Sequence, residues 1–449
     1  MIDIKTESAS KESWKFPKDF WLANFMELCE RAAYYGFFIV LTLYLTDIAG
    51  FNDKETGIIA GIFYAGLYFL PPFTGALSDK IGFKNGLILA FALLTAGYFF
   101  LGIFHTKMLV LFFLSIIMIG GSFIKPLMTG TVAKTTTEIN RARGYSVFYW
   151  IVNIGSFTGK TFVPYIRQGI GLEYVNFFSA AMAFIAMLFA ITFFKPLEIK
   201  ENHKTINQVF DSLIKIFLKP RLIILILIVT GFWIIQGQLY ATMPKYVIRL
   251  LGESAKPEWL ANVNPLVVVI FVVLITQLTK KRQAVTAMLI GMLLMPFSAL
   301  AMSLSQWLQS VTGNSVSFFG IIAIHPLTVM MIIGIAIQGL AECFISPRFL
   351  EYFSFQAPKG EEGLYLGFSH LHSFFSALLG FISSGFLLDA YCPDPKSLPA
   401  GITELERAAY YSDAHVIWYY FIAVGFVSAV ALIIYRYVTN RIDAKKVGS

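Results

Sequence analysis

The chain of 449 residues is 57% hydrophobic, 16% aromatic and only 14% charged, with a mean hydropathy of +0.68. A soluble globular chain carries about 25% charged residues, so a soluble multidomain protein is excluded and lipid is the main solvent. The formal charge of +8 does not point to nucleic acid, because the basic residues recur between apolar runs instead of gathering on one stripe.

A membrane-crossing helix needs roughly 20 apolar residues. Apolar runs set against turn and charge signals predict spans near 18–46, 55–77, 84–105, 107–132, 142–168 and 173–195. A second set falls near 221–249, 259–279, 283–305, 326–357, 361–390 and 413–439. The expected architecture is all-α and integral to the membrane, with twelve spans as two six-helix bundles over 1–195 and 221–449. Residues 196–220 between them are polar and basic (Lys200, Lys204, Lys215, Lys219). Ile206, Val209, Phe210, Leu213 and Phe217 share one helical face there, as in a linker lying on the membrane surface.

Loop charges orient the chain. With the N-terminus inside, the inner segments hold Lys5, Lys11, Lys15 and Lys18, then Lys80 and Lys84, then Lys134, Arg141 and Arg143. After the linker come Lys280, Lys281, Arg282, Lys359, Arg436, Arg441, Lys445 and Lys446. The outer loops hold only scattered cations: Lys54, Lys107, Arg167, Arg249, Lys256, Lys396 and Arg407. Both termini are therefore expected in the cytoplasm. The charged first 20 residues do not read as a secretory signal, and no Asn-x-Ser/Thr acceptor occurs, which leans toward a bacterial inner membrane. Three cysteines make no disulfide framework; Cys29 and Cys343 lie in apolar runs and Cys392 in a polar loop.

A charge at the centre of a membrane helix costs about 2.5–3.5 kcal/mol on insertion scales, so the intramembrane charges need explaining. In the first span Glu27, Glu30, Arg31 and Tyr34 lie within about 100° of helical arc. Two carboxylates beside one guanidinium leave one negative charge in excess, and such a cluster can hold or release a proton as its surroundings change. A static polar knot between helices is the other reading. The fourth span carries Lys125 directly before Pro126, too deep to snorkel easily. The fifth presents Tyr149, Asn153, Ser156 and Lys160 along one face. The seventh presents Gln238, Thr242 and Lys245, the last near enough to the end to snorkel outward, and the tenth Glu342 and Ser346. Polar stripes of opposite charge in both halves favour a shared aqueous cavity over helix-to-helix glue.

The motifs resemble those of the proton-coupled oligopeptide transporters (the POT or PTR family), a branch of the major facilitator superfamily. The run Glu27-Leu28-Cys29-Glu30-Arg31-Ala32-Ala33-Tyr34-Tyr35-Gly36 is close to the family's E-x-x-E-R-F-x-Y-Y-G. The segment Gly75 to Lys84 resembles the superfamily's loop motif after the second span, and Phe148-Tyr149 with Asn153 and Gly155 fits the fifth-span signature. Phe232-Trp233 before Gln238, Asn264-Pro265, Glu342 with Ser346-Pro347, and Ala357-Pro358 follow in family order. The resemblance implies a proton-coupled symporter that imports di- or tripeptides or a peptide-like solute by alternating access.

It further implies that Glu27 and Glu30 carry or couple the proton with Arg31 as counter-ion. Arg31 and Lys125 would attract a peptide carboxylate, and Glu342 and Asn264 would hold its amino group. Asn153 and Gln238 would bond the peptide backbone, while Tyr34, Tyr35 and Tyr68 would wall the pocket. Protons would be the coupling ion, with no cofactor or metal, no nucleic-acid partner, and a monomeric state in the bilayer.

Five residues depart from the family pattern. Ala32 replaces the motif's Phe, a modest loss of packing. Phe38 and Gly237 stand where many members carry a basic and an acidic residue, so the outer gate's ion pair is missing and closure there is expected to rest on apolar packing. Lys160 and Arg348 add positive charge where the family usually has none. If both face the pocket beside Ser346, the solute is more anionic than an ordinary dipeptide: a carboxylate-rich metabolite, nucleoside or siderophore, imported or exported. Arg348 can instead pair with Glu351 at i+3. His370 and His372 read either as packing residues or as a proton relay. No H-E-x-x-H spacing or Ser/His/Asp arrangement argues for an enzyme.

Overall fold

Long apolar runs without interruption become single helices, and runs punctuated by proline become broken ones. The computed structural model describes residues 15–137, 140–195, 208, 211, 214, 217–279, 281–318, 322–356, 362–399 and 401–447. The helices run α1 (Lys18–Asp47), α2 (Asp53–Phe69), α3 (Pro71–Ile81), α4 (Phe83–Leu101), α5 (Lys107–Thr135), α6 (Arg141–Gly169) and α7 (Tyr174–Thr192). Then follow α8 (Pro220–Ala241), α9 (Met243–Leu251), α10 (Pro257–Leu260), α11 (Val263–Thr279), α12 (Ala284–Ser303) and α13 (Ser305–Thr312). The last are α14 (Pro326–Gln356), α15 (Glu362–Ser369), α16 (Leu371–Tyr391), α17 (Glu404–Tyr410) and α18 (Val416–Val447).

The second predicted span is in fact two helices bent by 44° at Leu70. Pro71 and Pro72 lack the N–H groups that would continue the ladder. The predicted seventh span likewise breaks at Thr242, before Pro244 of α9. Among the described residues ten helices are long and apolar enough to cross a membrane, eleven if α2 and α3 form one span. The fifth predicted span, α6, has 29 residues but carries Lys160, Asn153 and Arg167 and is not among them. A short antiparallel hairpin, absent from the sequence expectations, pairs Val316 with Ile324 and Phe318 with Ile322. Most of the predicted surface linker, including Lys200, Lys204, Ile206 and Lys215, lies outside the described residues.

The residues form two compact units. One takes the chain up to Val40 and from Gly66 to Asp211; the other takes Leu41–Ala65 and Ser212–Ser449. In the first, α4 packs on α5 and α7, and α3 on α5. Small residues let α6 lie against α1: a Cβ on Gly155 would stand 2.7 Å from Arg31 Cβ, and one on Gly159 2.9 Å from Ala32 Cα. Ala32, where packing was expected to suffer, is 3% exposed at this backbone contact. In the second unit α12 packs on α14 and α18, and α8 on α16 and α18. Large apolar side chains such as Phe112, Val273, Leu278 and Val427 remain exposed, as they should on a surface solvated by lipid tails.

Candidate functional site

In the first unit the helical repeat of α1 brings Glu27, Glu30 and Arg31 together, as the sequence predicts. Arg31 Nε lies 3.2 Å from Glu27 Oε1, and the guanidinium also donates to Glu30 Oε2. All three residues are buried. The guanidinium sits 5.2 Å from the Tyr34 ring centroid and 5.9 Å from that of Tyr35. Glu27 Oε2 is buried with no hydrogen-bond partner among the described residues. Two carboxylates share one cation, so the cluster carries one negative charge more than it neutralises, and protonating either acid cancels the excess.

Two further cations belong to this unit. Lys125 Nζ stands 4.0 Å from the Tyr68 ring centroid, and Lys160 Nζ 5.6 Å from that of Tyr35, both cation–π distances. Lys125 is half-buried, whereas Lys160 is fully buried. Asn153 turns its amide onto its own helix, donating to Tyr149 O at 2.8 Å. Tyr34 and Tyr35 thus flank Arg31, Lys160 meets the second of these rings, and Lys125 with Tyr68 forms a further cation–π pair of the same unit.

In the second unit Glu342 of α14 is the centre of a separate polar group. Its Oε2 accepts from Asn264 Nδ2 at 3.2 Å and from Gln236 Nε2 at 3.1 Å. Asn264 lies in the first turn of α11, where Pro265 is tolerated because early N–H groups need no helical partner. Gln236 was not predicted; only its polarity in an apolar helix could have signalled it. The predicted Gln238 is fully buried and spent elsewhere. Its Nε2 donates to Ile234 O at 2.8 Å and Gly380 O at 3.3 Å, and its Oε1 accepts from Thr242 Oγ1 at 2.6 Å. Ser346 follows Glu342 by one turn, its Oγ buried with no hydrogen-bond partner among the described residues.

Arg348 does not join Glu342. Its Nη1 pairs with Glu351 Oε2 at 2.5 Å and its Nη2 donates to Thr279 O, so the i+3 pairing holds. His372 stacks on Trp233 at 5.1 Å with 8° between planes, lies edge-on to Phe349, and has Ser373 Oγ 3.1 Å from its Nδ1.

Within the second unit the start of α2 meets α9 through ion pairs instead of apolar packing. Asn52 and Glu55 cap α2 reciprocally (Glu55 N to Asn52 Oδ1 2.8 Å, Asn52 N to Glu55 Oε2 3.0 Å), which fixes Asp53 in its first turn. On α9, Lys245 and Arg249 are one turn apart and both reach Asp53: Lys245 Nζ at 2.6 Å, Arg249 Nη1 at 2.8 Å and Nη2 at 2.9 Å. Lys245 therefore does not snorkel outward. Arg249 also donates to Cys392 O at 2.5 Å and approaches Asp394 at 3.6 Å. Cys392, read from sequence as a loop residue, is fully buried, and burial pushes its thiol up to about 12. Lys54 pairs with Asp389 at 2.7 Å nearby. Glycine adds a backbone contact, since a Cβ on Gly57 would lie 3.0 Å from Gly385 Cα.

Known proteins place these features in context. The family model described as Major Facilitator Superfamily matches residues 23–324. A dipeptide and tripeptide permease B of Xenorhabdus bovienii is 29% identical over 170 residues, 37% of this chain and 35% of that protein. The chain thus aligns with about a third of that relative's length. A permease of the same name from Photorhabdus luminescens is 24% identical across 86% of this chain and 89% of its own. The crystal structure of the POT family transporter PepTSo matches with a TM-score of 0.73 at 17% identity, covering 95% of this chain and 99% of that one. A nearly all-helical membrane chain that matches this family model over most of its length therefore belongs to the major facilitator superfamily and has the fold of its POT family transporters.

Proposed function

We propose that the protein is a proton-coupled symporter that imports di- and tripeptides by alternating access, with both termini in the cytoplasm. The observation that carries this reading is the buried Glu27–Glu30–Arg31 cluster, with its excess negative charge beside cation-binding tyrosines. Neutralising one carboxylate loosens its hold on Arg31, and the guanidinium becomes available to a substrate carboxylate. Lys125 assists in attracting that group. Glu342, aimed by Asn264, takes the amino end. Each polar group by itself suits one end of a zwitterion, and the relatives' names support a short peptide. Gln238 and Arg348 are left out of the binding roles because internal partners occupy them.

Coupling requires that proton and substrate bias the same conformational equilibrium. The test is uptake of a labelled dipeptide into proteoliposomes under an inward proton gradient, with a protonophore control and the Glu30→Gln variant alongside. Protonophore-sensitive uptake that is lost in the variant is the expected result. Uptake that ignores both the gradient and Glu30 would remove proton coupling; no uptake of any peptide by folded protein would remove the peptide assignment.

One observation favours a second reading. Lys160 makes a third cation in the unit that holds Arg31 and Lys125, which suits a solute bearing an additional anionic group.

A further inference from the structure

Between Arg282 and Glu342 the chain holds no Asp, Glu, Lys or Arg. Most of that stretch is α12 and the first half of α14, where lipid explains the absence. The connection 304–325 is not a span, and in water such a segment is ordinarily charged. The connection 392–415, of similar length, contains Asp394, Lys396, Glu404, Glu406, Arg407 and Asp413. The one titratable side chain in 304–325 is His325. Its Nδ1 accepts from Leu327 N at 3.2 Å, and burial lowers its pKa below the ordinary histidine value, so it too stays neutral.

This connection has a distinct apolar face. Leu293, Phe297 and Leu300 form an exposed stripe on α12, spaced by four and three residues. The same spacing resumes past the break at Leu304 with Trp307 and Val311 of α13, 60% and 66% exposed. The polar side chains beside them spend their donors within the protein. Gln306 Nε2 donates to Ser412 O and Gln309 Nε2 to Asn314 Oδ1, both at 2.9 Å. Ser310 Oγ donates to Trp307 O and Thr312 Oγ1 to Leu308 O, both at 2.8 Å. Groups facing water need no such partners, whereas at a lipid surface each unsatisfied donor is costly. Further along, the hairpin pairs Val316–Phe318 with Ile322–Ile324, and the residues between them in sequence, Phe319, Gly320 and Ile321, are again uncharged.

We propose that α13 and the hairpin after it form a membrane-binding element whose Trp307–Val311 face rests in the lipid–water interface beside α12. Tryptophan suits that layer, because its ring is apolar and its N–H is polar. A short amphipathic helix binds there through its buried apolar area. The partner is the lipid surface whatever its headgroup charge, since attraction to anionic lipid needs Lys or Arg. The element belongs to the second unit, and its binding is independent of the transported solute.

A nitroxide attached at Val311→Cys in proteoliposomes tests this. The three native cysteines are buried, so labelling stays on the introduced thiol. Power saturation compares the label's accessibility to oxygen, which partitions into lipid, with that to a water-soluble nickel chelate. Lys396→Cys, in the charged connection, is the aqueous reference, and Phe297→Cys on α12 is the lipid reference. Oxygen should dominate at Val311 as at Phe297, and the chelate at Lys396. The pattern should be the same in phosphatidylcholine vesicles and in vesicles with added phosphatidylglycerol. Independently, Trp307→Phe should remove a component of the tryptophan fluorescence that phosphatidylcholine brominated near its headgroup quenches. A label at Val311 as open to the chelate as one at Lys396 would place α13 in water and overturn the proposal. A label closed to both reagents, as under a second copy or another protein, would overturn it too. So would contact that develops only with anionic lipid, or lipid quenching that Trp307→Phe leaves unchanged.

Discussion

Lys160 is wholly buried on α6, with its ammonium 5.6 Å from the Tyr35 ring, in the same unit as Arg31 and Lys125. A buried lysine of that kind reads the charge of what comes near it. If it contributes to substrate choice, Lys160→Ala lowers the preference for a peptide with an acidic side chain over a neutral one about tenfold, the scale of one charge-assisted hydrogen bond. Competition uptake with the two peptides measures this, and an unchanged ratio would return Lys160 to a purely structural role. At this scale the sequence located chemistry better than geometry. Glu27, Glu30, Arg31, Glu342 and Asn264 were all legible, because charges and amides stand out in an apolar helix. Gln236 and Gln238 are equally conspicuous in the sequence. Only the rotation of α8 against α14 and α16 decides that the first meets Glu342 and the second is consumed internally.

At the scale of elements, two contacts make opposite demands. Where α6 meets α1, the backbone of Gly159 touches Ala32, so Gly159→Ala drives a methyl group into main chain that cannot give way. The expected cost is about 1–3 kcal/mol, read as a lower melting temperature in detergent. An unchanged melt would mean that α6 shifts freely. The junction of α2 with α9 is ionic instead. Asp53 compensates both Lys245 and Arg249 in a buried setting, and Asp53→Asn leaves two cations facing a neutral amide. Breaking a buried pair from one side costs about 3–5 kcal/mol, so this junction should loosen.

Cys392 reports on that junction. Its carbonyl accepts from Arg249, and its buried thiol, held protonated up to about 12, is inert at neutral pH because the thiolate is the nucleophile. Alkylation followed by mass spectrometry should find Cys392 protected in the unmodified protein and labelled in Asp53→Asn. Protection in both would show that the junction survives without its ions. Asp53 carried no signal in the sequence, Lys245 stood only in a polar stripe near a helix end, and Arg249 only among the scattered loop cations. Their pairing joins positions nearly two hundred residues apart, which no local pattern encodes.

At the scale of the molecule, reciprocity is the strictest demand on a proton-coupled carrier. If protons strengthen substrate binding, substrate strengthens proton binding by the same factor. Peptide affinity measured on detergent-solubilised protein should therefore rise from pH 8 to pH 6, with proton uptake on peptide addition in weakly buffered solution, and Glu30→Gln should flatten both. Affinity that is flat with pH in the unmodified protein would argue for transport without this coupling.

The sequence by itself determined that this is a nearly all-helical membrane protein, where its long apolar helices lie, and which polar side chains stand among them. Each of those follows from composition along the chain: twenty apolar residues must form a helix in lipid, and a charge among them must have a purpose. The tertiary structure alone decided where helices bend, which polar side chains spend their bonds on one another, and which remain for a ligand. Helices in lipid are apolar on nearly every face, so periodicity gives little account of how each is turned. That turn is set by small-residue contacts and buried ion pairs between distant segments, and it is what separates Gln236 from Gln238 and draws Asp53 to Lys245 and Arg249.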